Sequence, residues 1–565
     1  MNKWFSLSKA SKNIMSILLL SMLIVFLVAC NDKNLDSKAT SFDDTNGYDV
    51  KKSTLIHPTA YITQMCYTKT TDELNNTYNP CFACHTNNKI PNYVMNNASL
   101  QEEYKFPEPA LKNPFVNNFI DFSKRVDEIS DDEITKYINK DNYFDKNHNI
   151  ILADKLNNLH KTWGGYIPDC YYNFNNKGFD IDPQNRPTGW VAFAYMPFLG
   201  TFFPTNGSTD DVLIRLDKAF MKQTKDGDFN STIYSINLAI VESLIKHKNI
   251  QITPINEKLL QVDINKNGVL DIAHKIVYDW APNDGKYMYY VGYAKKLQKE
   301  NKLHLAGGLY PENTEFLHSV RYIKSYVKSQ ISLSPRMKEL RYAKKMTWLT
   351  YAKLLNKGMK DIQEADINPD QIESFRGTQE SGLGNNMGWI YQGFIEDKKG
   401  DLRPQSYEET LNCMGCHSGI AVTTDSTFSF PRKLDISFQN GWYYPTQKSL
   451  KNIPENKYKD GRYEFSNYLK LNPYGDEFRE NKEVYNKFHL KNGDLNQTMI
   501  KKLHKDVTLL LYPTHKRAIE LDKAYKALVE LQQFYNGKAG HKKPMSNVYK
   551  EVKEGQSTHN KRVNI

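Results

Sequence analysis

The sequence predicts an α+β protein in which helical segments flank a middle region of mixed strands and helices. Helices are indicated where apolar residues recur every three to four positions, in residues 231–247 and 514–535. Shorter helical patterns occur between about 124 and 160, and another covers 335–357.

Strands are indicated by three stretches rich in aromatic and β-branched residues, at 189–199, 286–297 and 314–327. All three lie in the middle of the chain, between the helical patterns.

Composition is that of a folded protein, with 40% hydrophobic, 12% aromatic and 25% charged residues over 565 positions. The formal net charge is +11, and it falls to +8 if a segment carrying Lys3, Lys9 and Lys12 is removed. The basic residues form no clustered Arg/Lys stripe, so the sequence gives no sign of nucleic-acid binding.

The first 29 residues have the pattern of an export signal. Lysines 3, 9 and 12 precede an apolar run at 14–29, which ends at Cys30 in the sequence LVAC. This ending resembles a bacterial lipobox, in which the cysteine is lipidated and becomes the new N-terminus. The alternatives are an ordinary signal peptide or a single transmembrane anchor.

The motif Cys-x-x-Cys-His occurs twice, as CFACH at 81–85 and as CMGCH at 413–417. This spacing is typical of c-type haem attachment: two thiols on one helical turn meet the haem vinyl groups, and the histidine binds the iron. The composition would give about 0.002 such matches by chance. The motifs therefore predict two covalent haems c, held by Cys81, Cys84, Cys413 and Cys416, with His85 and His417 as iron ligands.

Three other interpretations of the motifs stay open. A structural zinc site pairs two Cys-x-x-Cys units, but usually at 15–20 residues, whereas 328 residues separate Cys84 from Cys413. A thioredoxin-like redox pair does not call for an adjacent histidine in both motifs. Disulfides within each motif would be strained at this spacing.

Local signals predict that both motifs lie on helices. Pro80 suits the first helical position after Asn79 as a cap. Ahead of the second motif, Ser406 and Glu409 form a capping box, and Gly419 offers a stop.

With these residues the chain resembles a di-haem c-type cytochrome lipoprotein of the bacterial cell envelope. The resemblance rests on the two motifs and the lipobox, and it implies cytochrome c-like haem segments that assemble after export. The mixture of strands and helices in the middle region predicts a core unlike that of a small cytochrome. The sequence is accordingly divided into a signal peptide (1–29), a flexible tether (30–55), a first haem-binding segment (56–123), a mixed middle region (124–330), a second haem-binding segment (331–475), C-terminal helices (476–537) and a basic tail (538–565), expected to be mobile.

The sixth ligand of each iron decides whether a haem is closed or open to small molecules. His57, His318 and Met387 are candidate distal ligands. Spacing alone does not assign any of them to a haem, and a lone histidine is more often a surface or core residue.

Two cysteines remain once lipidation and the motifs are counted, Cys66 and Cys170. In an oxidising compartment this even remainder suggests a disulfide between them. The alternative is two unrelated buried thiols.

The stretch DINKNGVLD, residues 263–271, matches the start of a calcium loop, with Asp263, Asn265, Asn267 and Asp271 as possible ligands. His274 stands where an EF-hand has its bidentate glutamate. The pattern therefore predicts at most a looser Ca²⁺ site, and the alternative is a polar turn with Asx hydrogen bonds.

Two functions follow as hypotheses. The first is a lipid-anchored di-haem electron-transfer protein that exchanges single electrons with redox partner proteins at the periplasmic or outer side of a membrane. The second is a di-haem oxidoreductase of peroxidase type with one open haem, which the large middle region favours. A binding lipoprotein with haems as sensors has the least support.

Overall fold

A large antiparallel sheet runs through the described part of the protein. The computed structural model describes residues 55–71, 76–89, 91–92, 100–159, 163–199, 211–325, 331–434, 442–444, 446–473, 482–560 and 562–563. In chain order the strands are β1 (Thr70–Thr71), β2 (Thr77–Tyr78), β3 (Phe179–Ile181), β4 (Pro187–Ala192), β5 (Leu213–Arg215), β6 (Ile250–Asn256), β7 (Ile272–Ile276), β8 (Glu315–Lys324), β9 (Ser332–Lys345), β10 (Arg376–Thr378), β11 (Gly382–Gly384), β12 (Trp389–Glu396) and β13 (Leu402–Pro404).

Nine of these strands form the central sheet, in the order β10-β11-β12-β9-β8-β5-β4-β3, with β13 also paired to β12. Two further ladders, β1 with β2 and β6 with β7, have two strands each. Among the described residues, all paired strands run antiparallel to each other. The long pair β8–β9 forms the middle of the central sheet.

Several helices pack against the sheet, and helices account for much of the C-terminal third of the chain. In chain order they are α1 (Cys81–Cys84), α2 (Ser123–Glu128), α3 (Asp131–Asn139), α4 (Ile151–Asn158), α5 (Ser231–Lys246), α6 (Gly292–Lys299), α7 (Tyr351–Ile367), α8 (Tyr407–His417), α9 (Glu464–Leu471), α10 (Lys482–Phe488), α11 (Gln497–Leu503), α12 (Thr508–Leu511) and α13 (His515–Leu531). The mixture of helices and antiparallel strands confirms the predicted α+β class.

Two hydrophobic cores position the motif helices. Leu411 and Met414 of α8 belong to the core that also contains Phe316, Trp389 and Tyr391 of the central sheet. Phe82 and Ala83 of α1 belong to a second core, formed mainly by residues of the C-terminal helices. Each motif helix is therefore anchored by its own apolar residues, the ones between and beside the cysteines.

Two of the predicted elements are wrong. Residues 335–345 form the greater part of strand β9, and helix begins only at Tyr351. Residues 292–299 form α6 instead of a strand. The helix was predicted for a stretch that contains charged residues, including Lys338 and Glu339. In β9 both of these side chains are buried with no exposed surface, which the sequence pattern does not indicate.

The central sheet spans two of the predicted segments. It combines β8, from the predicted middle region, with β9 and β12, from the predicted second haem-binding segment. Thr54–Ile565 form one compact unit.

The basic tail is packed instead of mobile over its described residues. Met545, Val548 and Val552 are buried in the main core. The backbone N–H of Tyr549 donates to the carbonyl of Tyr67, at 2.9 Å, so the tail is bound to the first haem-binding segment.

Candidate haem site

The second motif ends a well-capped helix. Ser406 and Glu409 form the predicted capping box: the Glu409 N–H donates to Ser406 Oγ at 3.2 Å, and the Ser406 N–H donates to Glu409 Oε2 at 2.8 Å. Arg403 donates to both oxygens of Glu409, at 2.9 and 3.0 Å, and both side chains are buried. The helix stops at His417, so Cys413, Cys416 and His417 occupy its last turn.

The first motif lies on the short helix α1. The helix begins at Cys81, one residue later than Pro80, where the sequence predicts its start. Asn79 still binds a free backbone donor at the N-terminus of the helix, because its Oδ1 accepts the Cys81 N–H at 2.9 Å. The amide of Asn79 donates in turn to the Thr68 carbonyl at 2.7 Å, which ties the motif to the chain before it.

The segment that precedes the first motif runs along the helix of the second. At the start of α8 the Glu408 carboxylate accepts the N–H groups of Ile56 and His57. Further along α8, Gly415 lies against the backbone carbonyl of Tyr61, so closely that a Cβ on Gly415 would overlap this oxygen. The two motifs are thus in one site although 328 residues of sequence separate them.

The thiols of the two motifs lie near each other. Burial raises the pKa of Cys84, and the neighbouring thiols of Cys416, Cys66 and Cys81 raise it further. Burial likewise raises the pKa of Cys416 to about 12, with a further contribution from Cys66. Cys66 therefore lies within electrostatic range of both motifs.

A second connection joins the chain that follows each motif. The buried Asn92 side chain donates to the Thr423 carbonyl at 2.6 Å and to Thr423 Oγ1 at 2.7 Å. Its Oδ1 accepts the Ser426 N–H at 3.4 Å. The loops after the first and second motifs are therefore fixed to each other as well.

Both motif histidines are held by their backbone and kept neutral. The Gln101 amide donates to the His85 carbonyl at 2.5 Å, and the Asn385 amide donates to the His417 carbonyl at 2.8 Å. Burial lowers the pKa of His85 to about 4 and that of His417 to about 3. Neutral imidazole is the form that binds iron.

The two motif histidines have the same surroundings at Nδ1. Nδ1 of His85 and Nδ1 of His417 are buried without a hydrogen-bond partner in the described residues. An unpaired buried nitrogen costs about 1–3 kcal/mol, so two equivalent instances in the two motifs call for an explanation.

The motif residues also keep some accessible surface. The four motif cysteines, Cys81, Cys84, Cys413 and Cys416, are free thiols and are partly exposed. His85 and His417 are partly exposed as well. In each motif the two thiols lie three residues apart on one helix and the histidine directly follows the second thiol. These residues fit covalently held haem.

Aromatic rings flank His417. Its ring stacks on Tyr391, with 4.6 Å between centroids, and meets Phe428 edge-on at 5.4 Å. Besides burial, the charges of Arg341 and His318 lower the pKa of His417. Arg341 and His318 therefore lie within electrostatic range of His417. Neither Arg341 nor the two amides at the histidine carbonyls was predicted from the sequence.

The three candidate distal ligands have different surroundings. His57 Nε2 lies 2.7 Å from Asn536 Oδ1, beside the first turn of α8, which is roughly 13 Å along the helix from His417. Met387 is buried in a separate cluster with Leu309 and Leu354. Among the three, His318 is the one whose charge acts on a motif histidine.

The predicted disulfide is not formed in this structure. Cys66 and Cys170 are both free. Their surroundings explain this difference, because Cys66 lies among the motif thiols, whereas Cys170 is buried beside the carboxylate of Asp180.

The four residues of the possible calcium loop come together, but they bind each other. The Asn265 and Asn267 amides donate to the two oxygens of Asp271 at 3.0 and 2.9 Å, and Asp263 accepts the Gly268 N–H at 2.9 Å. Within the described ranges, no group of three His, Cys, Asp or Glu residues has metal-binding geometry. The calcium site stays a prediction.

Comparison with known proteins identifies the class as a lipoprotein. A family model described as "-like lipoprotein" matches residues 50–509, and this chain belongs to that lipoprotein family. An uncharacterised lipoprotein of Aquifex aeolicus (strain VF5) is 29% identical over 509 residues, which cover 81% of each chain. No solved structure matches the chain.

Family membership supports attachment to a membrane of the cell envelope through lipid. The proposed lipidation site, Cys30, and most of the tether lie outside the described residues. In the part of the chain that the structure describes, no helix is long and apolar enough to cross a bilayer.

Proposed function

We propose that this lipoprotein is a di-haem c-type cytochrome that transfers single electrons in the cell envelope. The observation that carries the proposal is the meeting of two distant Cys-x-x-Cys-His motifs through the contact of α8 with residues 56–66. Two haems attached at these motifs would be neighbours, and neighbouring haems exchange electrons directly.

The roles of the residues follow from their chemistry. Cys81, Cys84, Cys413 and Cys416 would form thioether bonds to the two haems, and the neutral imidazoles of His85 and His417 would bind the irons. When bound, each haem supplies a one-electron redox centre. Gln101 and Asn385 hold the histidine carbonyls, so the backbone at each ligand is fixed without using the imidazole.

The cysteine motifs give the first test of the proposal. The variant Cys81→Ala/Cys84→Ala and the variant Cys413→Ala/Cys416→Ala should each keep one covalent haem, as read by intact mass and by haem staining of a denaturing gel. The matched control is Cys66→Ala, which removes a thiol from the same cluster but from neither motif, and it should keep both haems. A wild-type chain with no bound haem, or a motif variant that keeps both, contradicts the proposal.

A second candidate function is a di-haem oxidoreductase that reduces peroxide. The specific observation in its favour is Arg341, whose positive charge acts on His417 and would also attract and polarise a small oxidant at the second haem. The optical spectrum distinguishes the two functions. Two low-spin haems that do not bind CO or cyanide are expected of a carrier, whereas one high-spin haem that binds them is expected of the oxidoreductase.

A further inference from the structure

The first cysteine of the first motif is held by an asparagine two residues before it. Cys81 Sγ lies 2.7 Å from Asn79 Oδ1, and the Cys81 N–H donates to the same oxygen at 2.9 Å. An amide oxygen has no hydrogen to give, so the thiol is the donor in the first of these contacts. One atom of Asn79 therefore orients both the backbone and the side chain of Cys81.

Asn79 is itself fixed in place. Its side-chain amide donates to the Thr68 carbonyl and to the Tyr104 hydroxyl, each at 2.7 Å. Its backbone carbonyl accepts the side-chain amide of Asn560 at 2.6 Å, and only 1% of Asn79 is exposed. Because an acceptor with these bonds does not turn away, it selects one of the three staggered positions of Cys81 Sγ.

The contact is built locally by the sequence Asn79-Pro80-Cys81. The φ of Pro80 is −77°, within the narrow range that the proline ring imposes, so the backbone between the two partners has little freedom. Side chains of asparagine form such bonds with groups two residues further on without help from distant residues. The contact is therefore available to a chain that has not finished folding.

A second Asn-Pro turn of the chain has no thiol. In Asn113-Pro114-Phe115 the Asn113 Oδ1 accepts the Phe115 N–H at 2.9 Å, and the Asn113 amide donates to the Tyr549 carbonyl at 2.8 Å. Asn113 is 3% exposed, so its burial and these two bonds match those of Asn79. A comparison of the two turns separates the role of the turn from the role of the contact with the thiol.

We propose that Asn79 is a positioning residue for haem attachment, which holds the Cys81 thiol in the orientation that the reaction uses. The inference rests on the proposed function and adds a residue outside the motif. In the reaction the S–H of Cys81 adds across a vinyl double bond: the sulfur bonds to one carbon and the hydrogen ends on the other, so no oxidant or reductant is consumed. A thiol already held in one rotamer reaches the bonding geometry more often than a freely rotating one.

The test uses the full-length lipoprotein carrying Cys413→Ala/Cys416→Ala, so that the first motif holds the only haem. When Asn79→Ala is added, alkylation of the denatured protein and peptide mass should find a free Cys81 thiol in chains whose haem is bonded to Cys84 alone. The share of such singly bonded haems should rise roughly fivefold, the ratio expected for the loss of one hydrogen bond. The pyridine haemochrome band should move to a longer wavelength, because one vinyl group stays unreacted.

The matched control is Asn113→Ala on the same background. It removes the same two kinds of hydrogen bond from a buried Asn-Pro turn, so it should lower the stability about as much as Asn79→Ala while both thioether bonds still form. If Asn79→Ala and Asn113→Ala give the same small share of singly bonded haem, Asn79 is only a turn residue and the proposal is overturned.

A second measurement covers the case in which Asn79→Ala does not accumulate. Under limited haem supply, the incompletely attached haems of the parent with Asn79 intact should be bonded through Cys81, with the Cys84 thiol free. An equal or larger share with free Cys81 overturns the proposal. A parent protein with no covalent haem at all contradicts the proposed function instead.

Discussion

Gly415→Ala should separate the two motifs. A Cβ at residue 415 would overlap the backbone carbonyl of Tyr61, and this carbonyl cannot move without shifting the chain that leads to Cys66 and the first motif. The added methyl is therefore expected to cost on the order of 3 kcal/mol in the free energy of unfolding. It should also weaken the interaction between the haems, seen as a change in the separation of their two reduction potentials.

Denaturant unfolding and a redox titration check this result. Gly164→Ala is the matched control, because a Cβ on Gly164 meets nothing within 4 Å and the residue is exposed. The control should change the unfolding free energy by less than about 0.5 kcal/mol. If Gly415→Ala behaves like Gly164→Ala in both measurements, the contact between α8 and residues 61–66 does not join the motifs.

Arg403→Met should destabilise the protein by about 3–5 kcal/mol, because it leaves the buried Glu409 carboxylate without its bidentate partner. Glu409 is both the partner of Arg403 and the third residue of the helix that carries the second motif. The loss is therefore expected to loosen α8 at its start and to reduce the fraction of chains with a haem at Cys413 and Cys416.

The double variant Arg403→Met/Glu409→Gln isolates the charge effect. Glutamine removes the unpaired charge and keeps an oxygen for the Ser406 N–H, so the double variant should recover much of the stability lost in Arg403→Met. The pair of the exposed Arg186 with the partly buried Asp182 supplies a control, and Arg186→Met should cost less than about 1 kcal/mol, because backbone N–H groups still bind the Asp182 carboxylate. Thermal unfolding of the wild type and the three variants measures these stabilities. Equal losses of stability in Arg403→Met and Arg186→Met would contradict a stabilising buried ion pair at α8.

The sequence predicts local features of the site well. The capping box at Ser406 and Glu409 depends only on residues three apart, and the structure forms it as predicted. The helix predicted over 514–535 from its periodicity is present as His515–Leu531, and the strand predicted over 314–327 from its aromatic and β-branched residues is present as Glu315–Lys324. Such features depend on residues close together in the chain, so a single sequence is enough to predict them.

Features that depend on distant residues were not predictable from one sequence. Strand β9 has the composition of a helix, because Lys338 and Glu339 are charged, and only the sheet around them shows that they are buried. The contact of Gly415 with Tyr61 joins residues far apart in the chain, and neither stretch of sequence contains a pattern that predicts it. The same holds for Asn385 and Gln101, whose amides reach the motif histidines from outside the motifs.

The basic tail shows a similar limit. Lysines and polar residues around 538–560 suggest mobility, yet the apolar side chains of Met545, Val548 and Val552 are enough to bury the segment. Their spacing, i, i+3 and i+7, would suit one face of a helix, but residues 538–560 form no helix. The segment instead follows the surface of the first haem-binding segment through isolated bridges such as Thr68 with Val548. Periodicity gives no signal for such an arrangement.

The most direct test of the account is the intact mass of the exported, denatured wild-type protein. We expect a chain that begins at the lipidated Cys30 and carries two covalently bound haems, both lost only when the cysteines of the motifs are changed. A mature chain of the unmodified polypeptide mass, with four free motif thiols, would contradict it.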